Sequence, residues 1–148
     1  MSKVTPVLST NNQYIVNYDT TKIFLRDNKW ERGEFTNDDA YDSVTLPAGT
    51  LLGRIAATGK LVPHVSTASD GSQFPVGILG TNTVVGDGET KELTFCTAGE
   101  VIKSKVILGG SDTFATVISG RTLADRIAAD TVGIVLIETE QLTDFDNQ

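Results

Sequence analysis

The stretch TGKLVPHVSTASDGSQFPVGILG, residues 58–80, holds two short apolar runs separated by a polar, serine-rich loop. The runs are KLVPHV and PVGILG, and the second follows the turn pair Asp70 and Gly71. Short apolar runs bounded by Gly, Pro, Asp and Ser are typical of β-strands joined by turns. This stretch therefore predicts two strands with a loop between them.

The same pattern continues outward in both directions, from Leu46 to Leu108. GTLLGRI precedes the quoted stretch, and KELTFCTA and EVIKSKVIL follow it on either side of Gly99. Turn residues recur about every ten positions, which is the rhythm of a small sandwich or barrel. We expect a small β-sandwich or barrel-like domain over residues 46–138, with structural turns at Asp70, Gly71, Gly77 and Gly99.

One segment near the end breaks the β rhythm. In GRTLADRIAADTVG, Leu123 and Ile127 lie four residues apart, and Thr122 with Asp125 makes a weak capping pattern. We expect one short helix near residues 122–130 that stops near Gly133. The run VGIVLIE after it predicts a buried closing strand, and residues 139–148 an acidic, peripheral tail.

Residues 1–45 are polar and only lightly patterned, but they are not uniformly hydrophilic. QYIVNY places Tyr14, Val16 and Tyr18 on one face of a possible strand. So many apolar side chains argue against a purely solvated tail. The fold class predicted for the whole chain is thus mostly β with one short helix and an extended N-terminal arm.

Composition and charge exclude several classes of partner. The net charge of −7 opposes binding to phosphate, so nucleic acid is a poor partner. The longest apolar runs, such as VGIVLI, are far shorter than the roughly 20 residues of a membrane span. No signal-peptide pattern opens the chain, so we expect a protein without a membrane partner that is made in the cytoplasm.

Catalytic, cofactor and metal sites find little support among the residues. His64 is the only histidine, and the nearby serines Ser66, Ser69 and Ser72 have no G-x-S-x-G context. The side chains of KLVPHV alternate between two faces, and Pro63 lacks a backbone N–H donor, so a strand-edge position is favoured for His64. Cys96 has no basic neighbour in sequence and is interpreted as a core or half-buried thiol. We assign no catalytic, cofactor-binding or metal residue, although a small enzyme built around His64 stays open as an alternative.

Several of these motifs together resemble the lambda-type bacteriophage head decoration (capsid-stabilising) proteins. The resemblance rests on TGKLVPH, DGSQFPVGIL, KELTFCTAGEV, VIL and RTLADRIAAD leading into VGIVLI, in that order, over about residues 50–137. It implies a mostly β fold, homotrimers on the outer surface of the expanded icosahedral head, the major capsid protein as partner, and no reaction. Residues 27–42, DNKWERGEFTNDDAYD, depart from the family pattern.

The resemblance also suggests how the protein attaches. In the family an ordered N-terminal arm contacts the capsid, and a strand-capable arm suits β-augmentation of an exposed sheet edge. The arm residues that we expect to bind the capsid are Val4, Pro6, Val7, Leu8, Tyr14, Ile15, Val16 and Tyr18. A trimer is also favoured by three apolar runs, PVGIL, LTFC and VGIVLI. Together they carry more apolar surface than one small domain readily buries.

A second class of function remains open. A phage adhesin or carbohydrate-binding module would display an exposed aromatic platform. Trp30, Phe35 and Tyr41 are the residues that could supply it.

Overall fold

A computed structural model describes residues 23–38 and 42–138 of the chain. Within these residues the fold is mostly β with one α-helix, which confirms the predicted fold class. The elements are β1 (Lys29–Thr36), β2 (Val44–Leu46), β3 (Leu51–Arg54), β4 (Leu61–Pro63), β5 (Pro75–Leu79), β6 (Thr83–Val85), β7 (Thr90–Ile102), β8 (Val117–Ile118), β9 (Arg121–Thr122), α1 (Leu123–Asp130) and β10 (Gly133–Ile137). No helix in these two ranges is long and apolar enough to span a membrane.

One large sheet organises the domain. Its strands follow the order β1-β7-β5-β3-β4, and every pair along this path is antiparallel. The thirteen-residue β7 is the longest strand, and β10 pairs in parallel with its last five residues. Two small two-stranded sheets, β2 with β6 and β8 with β9, complete the architecture.

Both faces of the large sheet are buried, and each face has its own core. The inner core comprises Phe35, Leu46, Leu52, Leu61, Leu79, Val85, Leu93 and Phe95. The helix-side core comprises Leu51, Ile78, Cys96, Val101, Val106, Ile118, Leu123, Ile127 and Ile134. Because successive strand residues point to opposite faces, neighbours such as Ile78 and Leu79 enter different cores. This explains why the strand sequences are continuously apolar rather than alternating.

The sheet curls until its two end strands meet, but it does not close. Leu61 of β4 packs on Gly33 of β1, where an added Cβ would lie 2.8 Å from Leu61 Cδ1. Lys60 Nζ donates to Thr36 Oγ1 over 2.7 Å at the same seam. No backbone ladder joins β1 and β4 among the described strands. The sheet is therefore barrel-like in curvature while remaining open.

The helix lies where the sequence predicts it. The Thr122 side chain accepts a hydrogen bond from the Asp125 backbone N–H over 3.3 Å and caps the first turn. Leu123 and Ile127, four residues apart, are both fully buried in the helix-side core. The chain then enters β10 at Gly133.

β10 is less buried than its sequence suggests. Ile134 is enclosed, but Val135 is 52% exposed. β10 pairs only with β7 among the described strands, so one of its edges and one of its faces stay accessible. The prediction of a buried closing strand was wrong for this exposed edge, because apolar composition does not reveal how many neighbours a strand has.

Part of the segment assigned to the arm belongs to the sheet. β1 pairs with β7 along its whole length. Before it, Ile23 to Arg26 run along the C-terminal half of β7, with Leu25 N donating to Glu100 O and Ile102 N donating to Ile23 O. The eight expected capsid-binding residues, Val4, Pro6, Val7, Leu8, Tyr14, Ile15, Val16 and Tyr18, lie outside the described residues.

Candidate interaction surface

His64 follows β4 directly, and its side chain is completely buried. Its Nε2 lies 2.7 Å from the Gln73 carbonyl oxygen. Since a carbonyl only accepts, Nε2 carries the proton and donates it. Nδ1 has no hydrogen-bond partner and lies 3.9 Å from Asp112 Oδ2. β4 is an end strand of the sheet, as expected, but the histidine is enclosed rather than exposed at an edge.

Half-buried Ser66 and the buried carboxylate of Asp112 complete this polar cluster. Ser66 Oγ donates to Asp112 Oδ1 over 2.5 Å, and Ser66 N donates to Asp112 Oδ2 over 2.8 Å. A catalytic triad requires the histidine to stand between the serine and the carboxylate. Here the serine binds the carboxylate directly, and the histidine is shielded from any substrate. The arrangement ties the loop around Asp112 to the loop that follows β4, which is a structural role.

Four positions were expected to be structural turns. Asp70 and Gly71 lie in the loop between β4 and β5, where Gly71 adopts φ +103°. Hydrogen bonds from the Ser72 hydroxyl and backbone N–H hold the pKa of Asp70 below its usual range. Gly99 lies inside β7 with φ +103°, directly against the backbone of Asp27 and Asn28.

Gly77 is not a turn residue. It lies in the middle of β5 opposite Leu52. A Cβ there would collide with the Phe95 ring and lie 2.5 Å from the Cys96 carbonyl oxygen. The glycine is required by close packing between strands, a reason that the sequence did not show.

Cys96 is fully buried in the helix-side core, which confirms its interpretation as a core thiol. Its Sγ donates to the Ala98 carbonyl oxygen over 3.0 Å. Within residues 23–38 and 42–138, no group of three or more His, Cys, Asp or Glu side chains is arranged to hold a metal ion.

The most distinctive exposed feature is an open apolar groove, here called the Trp30 groove, lined by Phe24, Trp30, Gly80, Thr81 and Thr94. The Phe24 and Trp30 rings meet edge to face with centroids 4.8 Å apart. The Trp30 ring lies so close to Gly80 that an added Cβ would be 2.6 Å from Trp30 Cζ3. Trp30 is nevertheless 45% exposed. A large ring fixed on a backbone and open on one side is a typical contact residue.

Charged residues flank the groove and are already paired. Arg26 Nε lies 3.0 Å from Glu100 Oε1, and Arg32 Nη1 lies 3.5 Å from Glu92 Oε1. Arg32 stands opposite Thr94 in the ladder, so the two side chains share one face of the sheet. An apolar centre with a polar, charge-balanced rim is the usual anatomy of a protein-protein contact.

The aromatic platform expected for an adhesin does not form in the described part of the chain. Phe35 is only 8% exposed and belongs to the inner core. Tyr41 lies outside the described residues. Of the three aromatic residues, Trp30 alone is seen at the surface, beside Phe24 rather than beside Phe35.

An exposed aromatic groove on a small, curled β-sheet is typical of the class of proteins that work by contact with another surface. The comparison with known families agrees with this class. The chain belongs to the bacteriophage lambda head decoration protein D family, whose model matches residues 30–118. Among curated proteins, none matches the chain.

Family membership establishes the coarse function. Proteins of this family decorate phage heads and are structural proteins rather than enzymes. The match begins at Trp30, so it includes all of β1 except Lys29 and most of residues 27–42, the segment expected to depart from the family pattern. It ends at Ile118, before α1 and β10, which the sequence comparison had placed within the resemblance.

Proposed function

We propose that this protein binds as a homotrimer to the outer surface of the expanded icosahedral head and stabilises the shell against the pressure of packaged DNA. The observation that carries the proposal is membership of the head decoration family over residues 30–118. The proposed partner is the major capsid protein. The net charge of −7 suits this position, because it disfavours binding to the packaged nucleic acid. The protein is made in the host cytoplasm and carried on the virion.

Attachment occurs through the N-terminal arm, with Val4, Pro6, Val7, Leu8, Tyr14, Ile15, Val16 and Tyr18 as the contact residues. These residues add a strand to an exposed edge of a capsid subunit, so that main-chain hydrogen bonds supply affinity and alternate side chains supply specificity. The support is the way the chain enters the domain. Ile23 to Arg26 are hydrogen-bonded along β7, so the arm starts from a sheet edge.

The proposal is tested by removing the arm while keeping the domain. Deletion of residues 1–18 should abolish binding to expanded heads that lack this protein, measured by co-sedimentation. The melting temperature should change little, because the deleted residues precede all the strands of the described sheet. In the full-length chain, Ile15→Pro should weaken binding strongly, since proline removes a backbone donor and disrupts pairing.

Ile15→Val is the matched control and should bind like the unchanged protein, because it keeps the backbone and nearly the same shape. Equal head occupancy by the truncated protein would move the attachment surface to the domain loops, beginning with residues 66–73. A specific hit in a glycan-binding screen, lost in Trp30→Ala, would favour the adhesin alternative instead.

A further inference from the structure

The Trp30 groove lies close to the point where the arm joins the domain. Four residues, numbers 19–22, separate Tyr18 from Ile23. Five steps along an extended chain span at most about 18 Å. A capsid strand paired with the arm as far as Tyr18 is therefore within about 18 Å of Ile23. Phe24, the next residue, forms one wall of the groove.

We propose that the Trp30 groove is a second attachment point, which receives a large apolar side chain of the same capsid subunit that pairs with the arm. This inference rests on the proposed function. The groove is lined by two aromatic rings, a glycine and two threonines, and it offers no free charge. The flanking charges Arg26, Glu100, Arg32 and Glu92 already form two ion pairs. An uncharged segment carrying one apolar side chain is thus the matching partner.

Two linked contacts explain why the groove would matter although it is small. Once the arm has paired, the groove meets its partner at an effective concentration set by the four-residue connection. A weak apolar contact then lowers the overall dissociation rate without needing high affinity of its own. The Trp30 ring already packs on Gly80 and Phe24, so little of its side-chain entropy is lost on binding.

The test places a charge in the groove of the full-length protein. Thr94→Glu puts a carboxylate beside the aromatic rings of the groove, where an apolar side chain of the partner would have to strip it of water. The matched control is Thr45→Glu, which changes an exposed strand threonine to the same residue in β2. We expect Thr94→Glu to raise the dissociation constant for expanded, undecorated heads about tenfold or more, because aromatic residues at the centre of a contact carry much of its binding energy. Thr45→Glu should change this constant less than about twofold.

The possible outcomes distinguish a failure of the groove proposal from a failure of arm attachment. Equal binding by the Thr94→Glu and Thr45→Glu proteins would overturn the groove proposal while leaving arm attachment intact. A change of oligomeric mass in Thr94→Glu, measured by light scattering at one concentration, would assign the groove to a second copy of the chain and also overturn it. Failure of the unchanged protein to bind heads would remove both proposals.

A second variant guards against a folding defect. Thr81→Glu alters the groove from the loop after β5, where no strand ladder is at risk. If Thr94→Glu lowers the melting temperature, Thr81→Glu becomes the deciding variant. We expect it to weaken head binding and to leave the melting temperature unchanged. Normal head binding by a folded Thr81→Glu protein would then count against the proposal.

Discussion

Gly77 sets the spacing between β5 and β7, since the Phe95 ring occupies the space where a side chain would stand. Gly77→Ala would push a Cβ against that ring and to 2.5 Å from the Cys96 carbonyl oxygen. Both neighbours are buried, so neither yields easily. We expect the substitution to lower the free energy of unfolding by about 2 kcal/mol or more, measured by urea denaturation.

Gly133→Ala is the control for this prediction. Gly133 begins β10, has no atom within 4 Å of an added Cβ, and does not require a left-handed backbone. Its substitution should change the unfolding free energy by less than about 0.5 kcal/mol. Equal effects of the two alanines would mean that β5 and β7 are not packed as closely as described.

At the scale of elements, Asp112 fastens one loop to another. Its carboxylate accepts from both the backbone N–H and the hydroxyl of Ser66, which is 46 residues away in sequence. Asp112→Ala would leave the Ser66 N–H without its partner, at a cost of about 1–3 kcal/mol in unfolding free energy. Hydrogen exchange should show faster exchange of the Ser66 amide, because its bond to the carboxylate is lost.

Asp87→Ala provides the comparison, because Asp87 is an exposed residue in the turn between β6 and β7. Its removal should alter neither stability nor Ser66 exchange. If Asp112→Ala behaved in the same way, the polar cluster around His64 would not be fastening the loops.

At the scale of the whole molecule, the trimer stays a prediction. It now rests mainly on the family resemblance, because most of the apolar surface that favoured it is buried within the chain. PVGIL and LTFC were expected to leave apolar surface for partner chains. Ile78, Leu79, Phe95 and Cys96 are instead all buried within the chain, because the sheet has a core on each face. Exposed apolar side chains remain on other strands, such as Val84 on β6, Val117 on β8 and Val135 on β10.

Light scattering at high concentration should give the mass of three chains. High concentration is required because a trimer whose chains each enclose their own cores need not be tight. A stable dimer at all concentrations would contradict the prediction.

Local patterns in the sequence were sufficient for the helix and for the central strands of the large sheet. The four-residue spacing of Leu123 and Ile127, preceded by Thr122, predicts α1. The runs around Leu61, Ile78 and Phe95 predict β4, β5 and β7. β1 was missed and assigned to the arm because charges occupy its solvent-facing positions and only Phe35 is fully buried.

The sequence by itself determined the class of protein: an acidic, mostly β domain with one short helix, in the order of motifs that the head decoration family shares. Such features depend on neighbours within one strand, turn or helix, where residue spacing is enough. The tertiary structure alone decided that Asp112 lies beside His64, that Phe95 covers Gly77, and that Trp30 forms a groove with Gly80. These contacts join residues that are distant in sequence and meet only when the sheet curls, so no local pattern encodes them.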